Sequence, residues 1–130
     1  MSGPAEQIRI LVVEDERDAL ESTRRLLQGC GYDTVGASSA EEAYRYFEAI
    51  HPHILVVDYK LPGMNGADFL RHAKTADPTV SAVMITGLMP QIASIEAQAQ
   101  EIGVAVLRKP VQVEKLQKAI EEFVNRRSAP

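Results

Sequence analysis

The chain has a single cysteine, Cys30, which excludes an intramolecular disulfide framework and fits a reducing compartment. No apolar run approaches the ~20 residues a membrane-spanning helix needs. Met1 to Gln7 lack a basic stretch followed by an apolar one, so no signal peptide is expected. A cytoplasmic location is the reading. Basic charge is also scarce: 14 Lys and Arg against 18 Asp and Glu leave a net charge of -4. A nucleic-acid footprint would need a basic patch or stripe, and Arg126-Arg127 reads only as a solvated helix end. There is no internal repeat, no G-x-G-x-x-G and no P-loop.

What is present suits one soluble globular domain. The 130 residues are enough to bury a real core, and 45% of them are hydrophobic. Short β-branched runs predict strands at Ile8 to Val13, Asp33 to Ala37, Ile54 to Val57, Val80 to Thr86 and Val104 to Leu107. The first and third are almost continuously apolar, as in central parallel strands covered on both faces.

Segments of helical spacing alternate with these strands. Leu20, Thr23, Leu27 and Cys30 follow one stripe; Ala40, Ala43, Phe47 and Ile50 follow another. Ile92, Ile95, Ala99 and Ile102 mark the fourth helix, and Leu116, Ala119, Ile120, Phe123 and Val124 the fifth. The third, about Ala67 to Thr75, is short and has the weakest pattern. Ser39 with Glu42 predicts a capping box, and Gly29, Gly31 and Gly103 predict helix stops. Five βα units imply an α/β fold: a five-stranded parallel sheet, doubly wound, with helices on both faces. Ligands in such folds sit beyond the C-terminal strand ends, where strand order reverses.

Those ends carry a coherent set of groups. Strand one ends in Glu14-Asp15-Glu16, strand three in Asp58, strand four in Thr86-Gly87 and strand five in Arg108-Lys109-Pro110. Carboxylates gathered in one site repel by roughly 4 kcal/mol per pair at about 4 Å and an effective dielectric of ~20. A cation must offset that. Oxygen ligands in this number suit Mg²⁺, which keeps some positions for waters or phosphate oxygens. A carboxylate can also be a nucleophile that carries an acyl phosphate. Phosphoryl transfer then asks mainly for positioning and charge neutralisation, to which the Lys109 ammonium and Thr86 hydroxyl are suited.

The segments Ile10 to Glu16, Leu55 to Gly66, Met84 to Gly87 and Lys109-Pro110 together resemble the four signatures of the response-regulator receiver family. Asp58 to Gly66 is the most specific part, and the resemblance spans about residues 8 to 127 of a single domain covering 1 to 130. It implies a flavodoxin-like receiver fold working in two-component phosphorelay signalling. In that role the chain is a signalling phosphoacceptor, not an enzyme, although it assists its own Mg²⁺-dependent phosphorylation and dephosphorylation. Asp58 is then the phosphoacceptor, Asp15 a direct Mg²⁺ ligand, Glu14 its support through water, and the backbone carbonyl of Lys60 a further ligand. Thr86 binds the phosphoryl group and moves on switching. Lys109 pairs with the phosphoryl oxygens, and its bond to Pro110 is cis. The implied partners are a histidine kinase or histidine phosphotransfer protein. A homodimer partner or an effector would use the face of the fourth helix, fifth strand and fifth helix. No nucleic acid and no membrane is expected.

Three departures from the family pattern stand out. The acidic pair is Glu14-Asp15 instead of Asp-Asp, Val106 stands where many members carry Tyr or Phe, and the link into strand five is one residue shorter. The last two point the signal through Thr86 and the backbone from Gly87 to Pro90. Blander roles suit other residues: His51-Pro52-His53 as a loop, His72 on a polar helix side, Cys30 as a small core hydrophobe, and the Lys60 side chain in solvent. Leu88-Met89 is either core or partner surface.

Rival functions are weaker. A flavodoxin-like small-molecule binder needs a phosphate cradle after strand one, where this chain has acids. A haloacid-dehalogenase-type phosphatase needs a second acid two residues after its nucleophile, where Lys60 stands. A silent pseudo-receiver would not need Asp58, Asp15, Thr86 and Lys109 together.

Overall fold

The structure, a computed structural model, describes residues 7–87 and 91–128. Strand and helix alternate through it: β1 (Arg9–Val13), α1 (Arg17–Gly29), β2 (Asp33–Ala37), α2 (Ala40–Ile50) and β3 (Ile54–Asp58). They continue with α3 (Gly66–Ala76), β4 (Ser81–Thr86), α4 (Ile92–Ile102), β5 (Ala105–Arg108) and α5 (Val113–Ser128). The five strands are parallel and lie in the order β2-β1-β3-β4-β5. The chain steps outward from β1 to β2, then returns past β1 to β3. Strand order therefore reverses between β1 and β3, and that is where the ligand crevice of such a sheet opens.

The period-two alternation of a strand divides each apolar run between two layers. Leu11, Val13, Leu55, Val57 and Met84 face the layer that holds Ala43 of α2, Phe69 and Leu70 of α3, and Ile95 of α4. Ile10, Val12, Ile54, Val56 and Ile85 face the other, against Leu27 of α1 and Leu116, Ile120 and Phe123 of α5. A fully buried side chain of this kind contributes about 1.5–3 kcal/mol. The strand ends are thus carried by a rigid two-faced core.

Local chemistry fixes the helix ends. Ser39 Oγ accepts the Glu42 N–H at 3.2 Å, while Glu42 Oε1 accepts the Ser38 N–H at 3.1 Å. Gly103 closes α4 with φ 84°, a left-handed turn that glycine adopts freely. α4 is lightly held, as are α1, with Leu27 its one buried residue, and α2, with Ala40 and Ala43. Only Ile95 and Ala99 are buried in α4, and its N-cap Gln91 makes no side-chain cap bond. Exposed pairs tie it down: Arg71 to Glu101 at 4.0 Å, and Arg108 to Glu96 at 2.7 Å.

Several sequence readings need correction. α3 is as long as α2 and α4, and Ala67, Phe69, Leu70 and Ala73 are buried in it. Its stripe looked weak because Asp68, Arg71 and His72 interrupt the apolar residues. Between β3 and α3 lies an unexpected ribbon pairing Lys60 with Asn65 and Leu61 with Met64, turned at Gly63 with φ 78°. Cys30 is exposed, not core, because α1 stops at Gly29 and Cys30 becomes its C-cap. Strand bounds shift by a residue: Ile8, Val80 and Val104 precede β1, β4 and β5, while Asp58 and Arg108 end β3 and β5.

His51 and His53 do lie in a connection, but His53 is buried and accepts the Arg9 backbone N–H on Nδ1 at 3.0 Å. His72 is exposed, with its ring edge-on to Tyr44 at 5.3 Å. Leu88-Met89 and Pro90 fall outside the described residues. Among the described residues no helix is long and apolar enough to cross a membrane.

Candidate functional site

The sheet's topology delivers the site. Val13 is level with Val57 in the β1–β3 register, so Glu14 and Asp58, the next residues, emerge side by side at the crevice. Glu14 is tied to the neighbouring strand end by its N–H, which donates to Ala37 O at 3.0 Å. Asp58 stands level with Ile85, and Thr86 with Arg108, which brings Thr86 and Lys109 to the same edge. The Lys109 N–H donates to Thr86 O at 2.7 Å. The Lys109–Pro110 peptide is cis, as the resemblance implied.

Glu14 and Asp58 are buried, at 7% and 6% exposure, while Asp15 is exposed. The three offer carboxylate oxygens that all lie within 4.8 Å of one another. The Lys109 ammonium bridges two of these groups, 3.0 Å from Glu14 Oε1 and 3.1 Å from Asp58 Oδ2. Thr86 is fully buried, and its hydroxyl makes a long contact of 3.4 Å to Gly87 O. The Lys60 side chain is exposed, as expected of a side chain in solvent.

The charges are strongly interdependent. Burial, then hydrogen bonding to Glu14 and repulsion from it, push the Asp58 carboxyl up to about 7, although Lys109 pulls the other way. Burial also acts to raise Glu14, but hydrogen bonds with Asp58 and Lys109 outweigh it and leave Glu14 below its ordinary value. Near neutrality the two carboxyls therefore behave as a pair that retains a proton. Burial works against the Lys109 cation, and its two carboxylate partners more than compensate, so its affinity for a proton rises. One lysine does not neutralise three carboxylates. The donor set fits a hard divalent ion, which would displace the retained proton.

Glu16, which the sequence left without a role, closes the N-terminus of α1. Its carboxylate accepts the Asp18 N–H at 3.2 Å and the Ala19 N–H at 2.7 Å. Its own N–H points toward Glu14 Oε2 at 3.4 Å. A groove of about 590 Å³ borders the site, with Glu14 and Lys109 on one side and Ala19, Ile85 and Val111 among its apolar lining.

Residues 10–121 match the family described as the response regulator receiver domain. A response regulator receiver protein of Anaeromyxobacter is 32% identical over 108 residues, covering 83% of this chain and 45% of that protein. A protein-glutamate methylesterase/protein-glutamine glutaminase of Burkholderia thailandensis is 33% identical over 107 residues, covering 80% of this chain and 30% of that protein. The chain thus spans under half the length of these curated relatives. The crystal structure of a receiver domain from Clostridium thermocellum superposes with a TM-score of 0.86 at 30% identity, covering 93% of this chain and 97% of that one. A small-molecule-binding flavodoxin-like module is not favoured by any of this. With the fold, the strand-end carboxylates and these likenesses in agreement, the chain belongs to the response regulator receiver family of two-component signalling.

Proposed function

We propose that Asp58 is the phosphoacceptor of this receiver, taking its phosphoryl group from a histidine kinase or histidine phosphotransfer protein. The observation that carries this is the convergence of Glu14, Asp15, Asp58 and Lys109 at one edge of the parallel sheet. Mg²⁺ would be held directly by Asp15, Asp58 and the Lys60 carbonyl, with Glu14 supporting through water. Bound there, Mg²⁺ supplies positive charge against the phosphoryl oxygens.

An Asp58 carboxylate oxygen attacks phosphorus, the bond from phosphorus to the donor imidazole nitrogen breaks, and that nitrogen keeps the electron pair. Asp58 must be ionised to do this, so its retained proton has to leave first. Lys109, already 3.1 Å from Oδ2, then pairs with a phosphoryl oxygen, and the Thr86 hydroxyl binds another. Such a site assists its own phosphorylation and dephosphorylation without turning over an external substrate, so the role is signalling. The apolar groove beside Lys109 supports docking of the donor protein. The face of α4, β5 and α5 is the proposed contact for an effector or second copy. Residues 8 to 127 form the core of one domain, working in the cytoplasm.

Mass spectrometry after acetyl phosphate treatment tests the assignment. One phosphoryl group should be added, and it should be absent with EDTA and in Asp58→Ala. A phosphoryl group retained in Asp58→Ala at the parent level would remove Asp58 from this role.

A further inference from the structure

We infer that Gly66 is a positioning residue for the phosphoacceptor: its bare α-carbon lets the start of α3 press against the Asp58–Tyr59 peptide, and that contact sets where Asp58 stands. The inference rests on the reading of Asp58 above.

The reason for glycine at 66 is space, not backbone conformation. Gly31, Gly63 and Gly103 have positive φ, a region that strains other residues, whereas Gly66 is not among the positive-φ residues. A Cβ added at Gly36 would meet side-chain atoms of Leu20 and Arg24 at 3.0–3.3 Å, which can shift, and no backbone atom is among its three nearest neighbours. A Cβ at Gly66 would collide with the carbonyl oxygen of Asp58. It would also lie 3.0 Å from the Asp58 carbonyl carbon and 3.0 Å from the Tyr59 Cα. These are backbone atoms at the end of a fully buried strand. They have no rotamer to change.

The contact is held from both sides. The Gly66 N–H donates to Tyr59 O at 2.6 Å, while the Tyr59 N–H donates to Ile85 O at 2.8 Å. The backbone leaving Asp58 is thereby clamped between β4 and the first turn of α3. Asn65 anchors that turn, because its Oδ1 caps α3 by accepting the Asp68 N–H at 2.9 Å. Asn65 also pairs with Lys60 in the ribbon. Asp58 and the Lys60 carbonyl, two of the proposed oxygen ligands, therefore hang on the same clamp. A methyl group at 66 must push the clamp open, moving both ligands away from Lys109 and Asp15.

Gly66→Ala should weaken Mg²⁺ binding at least fivefold by calorimetry. In the metal-free protein it should displace the amide resonances of Asp58, Tyr59 and Lys60 more than those of β1. Ala73→Gly, which weakens the same helix two turns further on, is the stability control. It should lower the melting temperature while leaving Mg²⁺ affinity within twofold of the parent. If Gly66→Ala does not fold, Asn65→Ala loosens the clamp without adding an atom and should weaken Mg²⁺ binding two- to threefold. Wild-type Mg²⁺ affinity in Gly66→Ala or, failing that, in Asn65→Ala overturns the inference. So does an equal loss in Ala73→Gly at matched stability. A parent protein that takes no phosphoryl group would instead count against the reading of Asp58, since the metal-free resonances still report on the clamp.

Discussion

Lys109 Nζ stands 3.1 Å from Asp58 Oδ2, yet Asp58 still holds its proton up to about 7. The pairing is outweighed by burial and by Glu14. A carboxyl whose folded value lies above its unfolded one, about 3.9, stabilises the fold fully only below that unfolded value. The contribution is lost as pH rises through about 7. In EDTA the parent should lose stability between pH 5 and 8 relative to Asp58→Asn. At pH 8 the variant should melt at least about 3 °C higher, the shift that roughly 1 kcal/mol produces in a domain of this size. Parallel melting curves across this range would show that Asp58 is not under strain from its neighbours.

Asp15 separates metal affinity from stability. It is exposed, unlike Glu14 and Asp58, so removing its charge should cost the metal-free fold nothing. Asp15→Asn should bind Mg²⁺ at least tenfold more weakly, a loss of about 1.4 kcal/mol, and melt in EDTA at the parent temperature or above. Unchanged affinity by titration calorimetry would remove Asp15 from the ligand set.

Val106 leaves the outgoing signal without an aromatic reporter. It is half-buried beside a cleft of about 630 Å³ between α4 and β5, whose walls include Ala93, Ala97 and Val104. With one short χ1 rotor it cannot sweep the surface. Beryllofluoride, a phosphoryl mimic, should shift amides 91 to 95 strongly in the parent and much less in Thr86→Ala. Equal shifts in both would place the coupling somewhere other than Thr86.

His53 offers a contrast at the opposite end of the sheet. Its Nδ1 accepts the Arg9 N–H, and its own backbone N–H donates to Arg9 O at 2.9 Å. His53→Ala removes that buried acceptor and should cost about 1–3 kcal/mol, with Mg²⁺ affinity unchanged. A loss of metal binding at full stability would contradict a purely structural histidine.

Most of the site was legible because its residues follow strands whose apolar runs are unmistakable. Once Ile10 to Val13 and Ile54 to Val57 are central parallel strands, Glu14 and Asp58 must share an edge. The ribbon at Lys60 to Asn65 was not legible, since two-residue strands have no periodicity to read. Nor was the length of α3, where charges at Asp68 and Arg71 break up a stripe that is buried all the same. Cys30 misled for a different reason: it continues the spacing of α1 one step past the point where the helix ends. The reason for Gly66 was invisible too, because a close approach of two backbones leaves only a glycine in the sequence.

The slender attachment of α4 has a thermodynamic consequence. With two buried side chains and two exposed ion pairs, each worth ~0–1 kcal/mol, this helix should open locally at a lower free energy than the buried central strands. In native-state hydrogen exchange its amides should lose protection well before those of β1 and β3, which should exchange only through global unfolding. Slow exchange in α4, matching that of the central strands, would contradict this ranking. A helix that opens at so little expense to the sheet gives the strand-end chemistry an element it can rearrange while Leu11, Leu55 and their neighbours stay where they are.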